Sequence, residues 1–192
     1  MLYSILHSLA LHMLAGAGAY AVFSIPACRA NLRLRQVLVG VTLGVVVALI
    51  STNTFSLNEM QMPLDVPIGP LVFAGYLGGP IGGIIAAGFG AVGRISFGGL
   101  NTALGVEIDL ALGILGAIIA RLCPQGSQLQ IPTRAIIYMC LGFLLVQFLP
   151  AALALGLRGE ESTEITIGPP LSQALSGIMS IGVMAAVLGY AR

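Results

Sequence analysis

Arg94, Glu107 and Asp109 stand out among the charged side chains set within otherwise apolar stretches of this 192-residue chain. A charge in a membrane-spanning helix costs about 2.5–3.5 kcal/mol on insertion scales, so each needs a reason. One reason is structural: an Arg94–Asp109 or Arg94–Glu107 ion pair that neutralises both partners. The other is functional: a polar pocket that offers its charges to a small ligand. A pocket could use the same pair, so both readings stay open. Glu107 and Asp109 are two apart, so on a helix they point in different directions and at most one faces Arg94. Asn101 and Thr102 follow the run Phe97-Gly98-Gly99-Leu100, and Asp65 precedes the third apolar segment. With Arg94, Glu107 and Asp109 they make up the candidate ligand-binding set.

The other reactive side chains assemble less. His7 and His12 are five apart in the first apolar stretch, which is not the spacing of a helical metal pair, so they read as polar residues near the outer interface. Ser172, Gln173 and Ser176 open the last stretch, where they line the pocket or bond neighbouring helices. No Ser/His/Asp constellation emerges, and the expectation is a protein that is not an enzyme and carries no metal or other cofactor. Cys28, Cys123 and Cys140 are widely spaced, with no Cys-x-x-Cys, and support neither a disulfide framework nor a zinc site.

The elements that must position these residues are helices. The chain is 57% hydrophobic and 8% charged, with mean hydropathy +1.01 and no Trp or Lys. Soluble domains carry about 25% charged residues, so lipid accepts this surface and water does not. Backbone hydrogen bonds must then close within helices. A helix needs about 20 apolar residues to cross a bilayer, and candidate spans are 2–24, 36–54, 67–78, 80–95, 103–121, 133–155 and 170–190. The two short central spans are separated by Gly78-Gly79-Pro80, where proline removes a donor and glycine tolerates a tight turn. The fold class expected is an all-α polytopic membrane protein. Residues 1–30 form an N-terminal helix with a basic cytoplasmic loop, and residues 31–192 form a six-helix core.

Charge orients this arrangement. With the N-terminus outside and the centre broken, Arg29, Arg33, Arg35, Arg121, Arg134 and Arg192 lie on the cytoplasmic side, and Arg94 and Arg158 lie outside. All the acids, Glu59, Asp65, Glu107, Asp109, Glu160, Glu161 and Glu164, then fall at the outer side. Small residues repeat every four positions at Gly40, Gly44 and Ala48, and at Gly75, Gly79 and Gly83, which lets helix backbones approach. Packing within the chain is the plainer use of these stripes, and a homodimer seam is the alternative. No nucleotide site is implied, because the chain has no Walker lysine, and no basic patch with aromatics suggests nucleic acid.

The run Leu71-Val72-Phe73-Ala74-Gly75-Tyr76-Leu77-Gly78-Gly79-Pro80-Ile81-Gly82-Gly83, then Gly93-Arg94 and Gly98-Gly99, resembles the LytS-type five-transmembrane receptor domain. The resemblance follows span order over roughly residues 35–190, and its specific part is positions 65 to 99. It implies an input domain of bacterial inner-membrane sensors, fused to a cytoplasmic histidine kinase or diguanylate cyclase and in some members responsive to small carboxylates such as pyruvate. Arg94 stands at the family's arginine. Pro67 stands where members often carry a second Arg, and Glu107 and Asp109 replace small or Cys residues. Two added acids repel an anion, so the ligand expected is neutral, cationic or zwitterionic as readily as a carboxylate.

The helix order is also similar to the substrate-binding subunits of energy-coupling-factor vitamin transporters. In that family small residues on the first core helix dock the transport module, and Gly40, Gly44 and Ala48 suit that role. The expectation is therefore a sensor that signals through its last helix to a cytoplasmic output module not encoded in this chain. A transporter's binding subunit is the alternative.

Overall fold

The computed structural model describes residues 2–52, 67–97, 102–124, 131–158 and 168–190. Among these the chain is helical, with α1 at Leu2–Ser24, α2 at Pro26–Ala30, α3 at Leu32–Thr52, α4 at Ile68–Phe97, α5 at Thr102–Leu122, α6 at Thr133–Arg158 and α7 at Gly168–Tyr190. The short α2 was not foreseen. It turns the chain between α1 and α3, with Pro26 in its first turn, where a missing N–H costs nothing. Asn31 then caps α3, its Oδ1 accepting the Leu34 N–H at 3.1 Å. Arg33 and Arg35 consequently sit in the first turns of α3, not in a loop.

The centre of the chain is broken at Gly79. Its φ of 62° and ψ of −165° lie in a region closed to side-chain-bearing residues. Pro80 follows as the first residue of the second half, so α4 divides into α4a (68–78) and α4b (80–97). The break is a hairpin. A Cβ on Gly82 would stand 2.8 Å from the carbonyl oxygen of Ala74, and both Gly75 and Gly83 pack on Gly113. In a continuous helix, residues eight apart are separated by about 12 Å along the axis.

The hairpin sets the direction of every central helix. Gly40 of α3 meets Gly82, Gly44 meets Ala86 and Phe89, and Ser51 meets Gly93, so α3 and α4b run parallel. Gly83 meets Gly113 and Gly90 meets Asp109, so α5 runs antiparallel to α4b. The stripe Gly40–Gly44–Ala48 is thus used inside the chain. Two backbones touch at these points because no Cβ intervenes. Tyr76 ties the hairpin to the far end of α5, its hydroxyl donating to the Cys123 carbonyl at 3.0 Å. Phe73 packs edge-on against Tyr76, their ring centroids 6.4 Å apart.

Outside the central three, α1 and α7 lie side by side, Gly16 on Val187 and His12 on Ser180. α1 also packs on α3 through Gly18 and Thr42. Leu115 of α5 meets Gly142 of α6, and Phe143 of α6 reaches Gly177 of α7. A single core runs through all the long helices.

The outer faces are as apolar as this core. α3 exposes Val37, Val41, Val45 and Leu49, α5 exposes Leu110, Ile114 and Ile118, and α6 exposes Tyr138, Leu141 and Leu145. Among the described residues, Leu32–Ser51 and Ile68–Ser96 are long and apolar enough to cross a membrane, by length and composition. The second reaches that length only by counting through Gly79. Taken separately, α4a is about 16 Å long and α4b about 27 Å.

Candidate functional site

Arg94 and Asp109 form a bidentate ion pair at the end of the bundle opposite the hairpin. Nε donates to Oδ2 at 2.8 Å and Nη2 donates to Oδ1 at 3.0 Å. The geometry follows from the helices. Arg94 lies in the last turn of α4b, Asp109 lies two turns into the antiparallel α5, and Gly90 and Gly105 leave room for the pair. A Cβ on Gly90 would come 2.7 Å from Asp109 Oδ2, and one on Gly105 would come 2.8 Å from Arg94 Nη1. Asp109 is only 1% exposed, whereas the Arg94 side chain is 26% exposed. A carboxylate this deep requires its partner, because removing one member of a buried pair costs about 3–5 kcal/mol.

The structure chooses between the two acids. Asp109 takes Arg94, while Glu107 is exposed on the outer side of α5 and makes no part of the pair. The pairing uses one edge of the guanidinium. Its other edge, which includes Nη1, has no hydrogen bond among the described residues and remains able to receive a carbonyl or carboxylate. Close by on α3, Ser51 is buried, its Cβ 3.2 Å from where a Cβ on Gly93 would be. Its Oγ has no partner among the described residues. Thr102 opens α5. Asp65 and Asn101 lie outside the described residues.

A second polar cluster sits deeper and was not anticipated. His12 Nε2 lies 2.5 Å from Ser180 Oγ, and the same hydroxyl accepts the Gly69 N–H at 2.8 Å. The reading of His12 as an interfacial residue is corrected here, since His12 is 4% and Ser180 5% exposed. The contact between His12 and Ser180 could not be foreseen, because α1 and α7 are brought together by the fold and not by sequence spacing. What the cluster does is cap α4a. This short helix begins inside the bundle, where its first N–H groups cannot reach water, and Ser180 supplies an acceptor. The cluster is enclosed by α1, α4a and α7.

Among the described residues no three His, Cys, Asp or Glu side chains gather as a metal would require. Cys28, Cys123 and Cys140 are free thiols, the first two buried. No family model, no curated protein and no solved structure matches the chain.

Proposed function

We propose that this chain is the membrane-embedded input domain of a bacterial sensor, of the LytS type it resembles in sequence. In this reading it has its N-terminus outside and its C-terminus in the cytoplasm. A small extracytoplasmic ligand binds at the Arg94 end, and the response passes through α7 to a cytoplasmic output module beyond this chain. The carrying observation is the Arg94–Asp109 pair: a nearly neutral, partly exposed site with one guanidinium edge uncommitted, at the end of the bundle opposite the hairpin. Membrane embedding is supported by the outward apolar stripes on the helices and, among the described residues, by the confinement of charge to helix ends.

The transporter-subunit alternative relies on Gly40 and Gly44 as a docking stripe. Those glycines are already packed against Gly82, Ala86 and Phe89. That observation favours the sensor.

A ligand prefers one arrangement of the helices and shifts the population toward it by no more than its differential affinity. The test is a thermal-shift screen of the detergent-purified chain against pyruvate, acetate, glycine, betaine and thiamine. Arg94→Gln and the charge-neutral double variant Arg94→Gln/Asp109→Asn serve as comparisons. Saturable stabilisation of the wild type by one compound, absent in both variants, supports a binding site at Arg94. Uniform silence across the panel, or stabilisation that survives in both variants, removes Arg94 from ligand binding and leaves the pair a structural one.

A further inference from the structure

Five arginines occupy the hairpin end: Arg29, Arg33 and Arg35 around α2 and the start of α3, Arg121 in the last turn of α5, and Arg134 in the first turn of α6. The contacts of Gln36 with Gly79, and of Tyr76 with Cys123, place the α3 and α5 termini beside the same turn. No acid lies among the described residues at this end. Two of the five are braced on one residue. Arg29 Nε donates to the Phe23 carbonyl at 3.0 Å, and the Arg35 guanidinium sits 5.1 Å above the Phe23 ring. Arg35 Nε is nonetheless buried without a hydrogen-bond partner among the described residues.

The remaining three continue the outward apolar stripes. On α3 the stripe Leu49, Val45, Val41, Val37 arrives at Arg33, four residues on along the same face. On α5 the stripe Ile114, Ile118 arrives at Arg121, and on α6 Leu141, Tyr138 arrives at Arg134. All three arginines are exposed. The opposite end of the α5 stripe carries Glu107, so that track is basic at one end and acidic at the other.

We propose that these stripes are acyl-chain tracks for anionic phospholipids of one leaflet, with Arg33, Arg121 and Arg134 receiving the headgroup phosphates. The inference rests on the membrane reading above. An apolar track ending on a guanidinium matches a lipid tail below a phosphate, and the absence of acid at this end favours a headgroup with net negative charge. Glu107 disfavours the same lipid in the other leaflet.

The experiment is lipid exchange on the full chain in detergent, with equal amounts of phosphatidylglycerol and phosphatidylcholine of the same acyl length. Retained lipid is counted by native mass spectrometry. At roughly fivefold per surface arginine, the wild type should enrich phosphatidylglycerol at least about tenfold. Arg33→Gln/Arg121→Gln/Arg134→Gln should reduce the preference to less than about twofold, with Arg121→Gln and Arg134→Gln alone each lowering it in part. Arg158→Gln, which removes the same charge at the opposite end of α6, should retain it.

Equal retention of both lipids by the wild type overturns the proposal, as does a preference that survives the triple substitution. So does displacement of phosphatidylglycerol by glycerol phosphate at equal concentration, which would make the site one for a soluble phosphate ester. A chain that stays folded and dispersed with neither detergent nor lipid fails the membrane reading itself, a different result from a bound lipid without headgroup preference.

Discussion

His12 and Ser180 stand 168 positions apart and share a hydrogen bond, and through the same hydroxyl they hold the first turn of α4a. Ser180→Ala removes the acceptor of the Gly69 N–H and a partner of His12 in one step. A buried polar group left unsatisfied costs about 1–3 kcal/mol, so the variant should melt several degrees lower. Hydrogen exchange should accelerate at Gly69 more than at amides in the middle of α3. An unchanged rate at Gly69 would mean that the hydroxyl does not cap this helix.

The Arg94–Asp109 pair gives a second expectation, testable as a double-mutant cycle. Arg94→Gln leaves a buried carboxylate alone and should destabilise by about 3–5 kcal/mol, whereas Arg94→Gln/Asp109→Asn should recover much of that loss. Additive losses would show that the two side chains act independently. Glu107→Gln, on an exposed side chain outside the pair, should change stability by less than about 0.5 kcal/mol.

Parallel packing of α3 on α4b can be read by cross-linking. With the three native cysteines replaced by serine, Ser51→Cys and Gly93→Cys should oxidise to an intramolecular disulfide, since their Cβ positions are 3.2 Å apart. Gln36→Cys with Gly93→Cys should not. The reverse pattern is what an unbroken, antiparallel α4 would give.

Two backbone positions should resist substitution for different reasons. Gly79→Ala places a side chain at φ 62°, ψ −165°, a conformation costing about 1–3 kcal/mol for any residue but glycine. Gly113→Val has ordinary helical dihedrals, but its Cβ would stand 2.8 Å from the Gly83 carbonyl oxygen. It should force α4b and α5 apart. Both variants should unfold in milder detergent or at lower temperature than the wild type, and a Gly113→Val chain of wild-type stability would contradict the crossing.

The break at Gly79 was legible in the sequence because its cause is local: two glycines and a proline dictate their own dihedrals. The helix positions were legible for the same reason, except at α2, where five residues are too few to show a period, and at the start of α3, where arginines continue a helix that hydropathy alone ends at Gln36. The choice of Asp109 over Glu107 was not legible. It depends on the rotation of α5 against α4b, which Gly83, Gly90 and Gly113 set only when all are packed. The Ser180–His12 contact was less legible still, since nothing near either residue refers to the other. Orphaned amides at the start of a short helix announce that a cap is needed, but not which helix provides it.

The helices that meet glycine on glycine, α3 to α5, are consecutive in the chain, whereas α1 and α7 close on one another across all of them. A nascent chain therefore has everything required for the central trio once α5 has emerged, and His12 meets Ser180 only after a further 168 residues have been made. A product truncated before Ser180 would keep the hairpin and the Arg94 pair but leave the Gly69 N–H of α4a without its acceptor and His12 without the Ser180 hydroxyl. Quality control that senses exposed polar groups would find its signal there, far upstream of the cut.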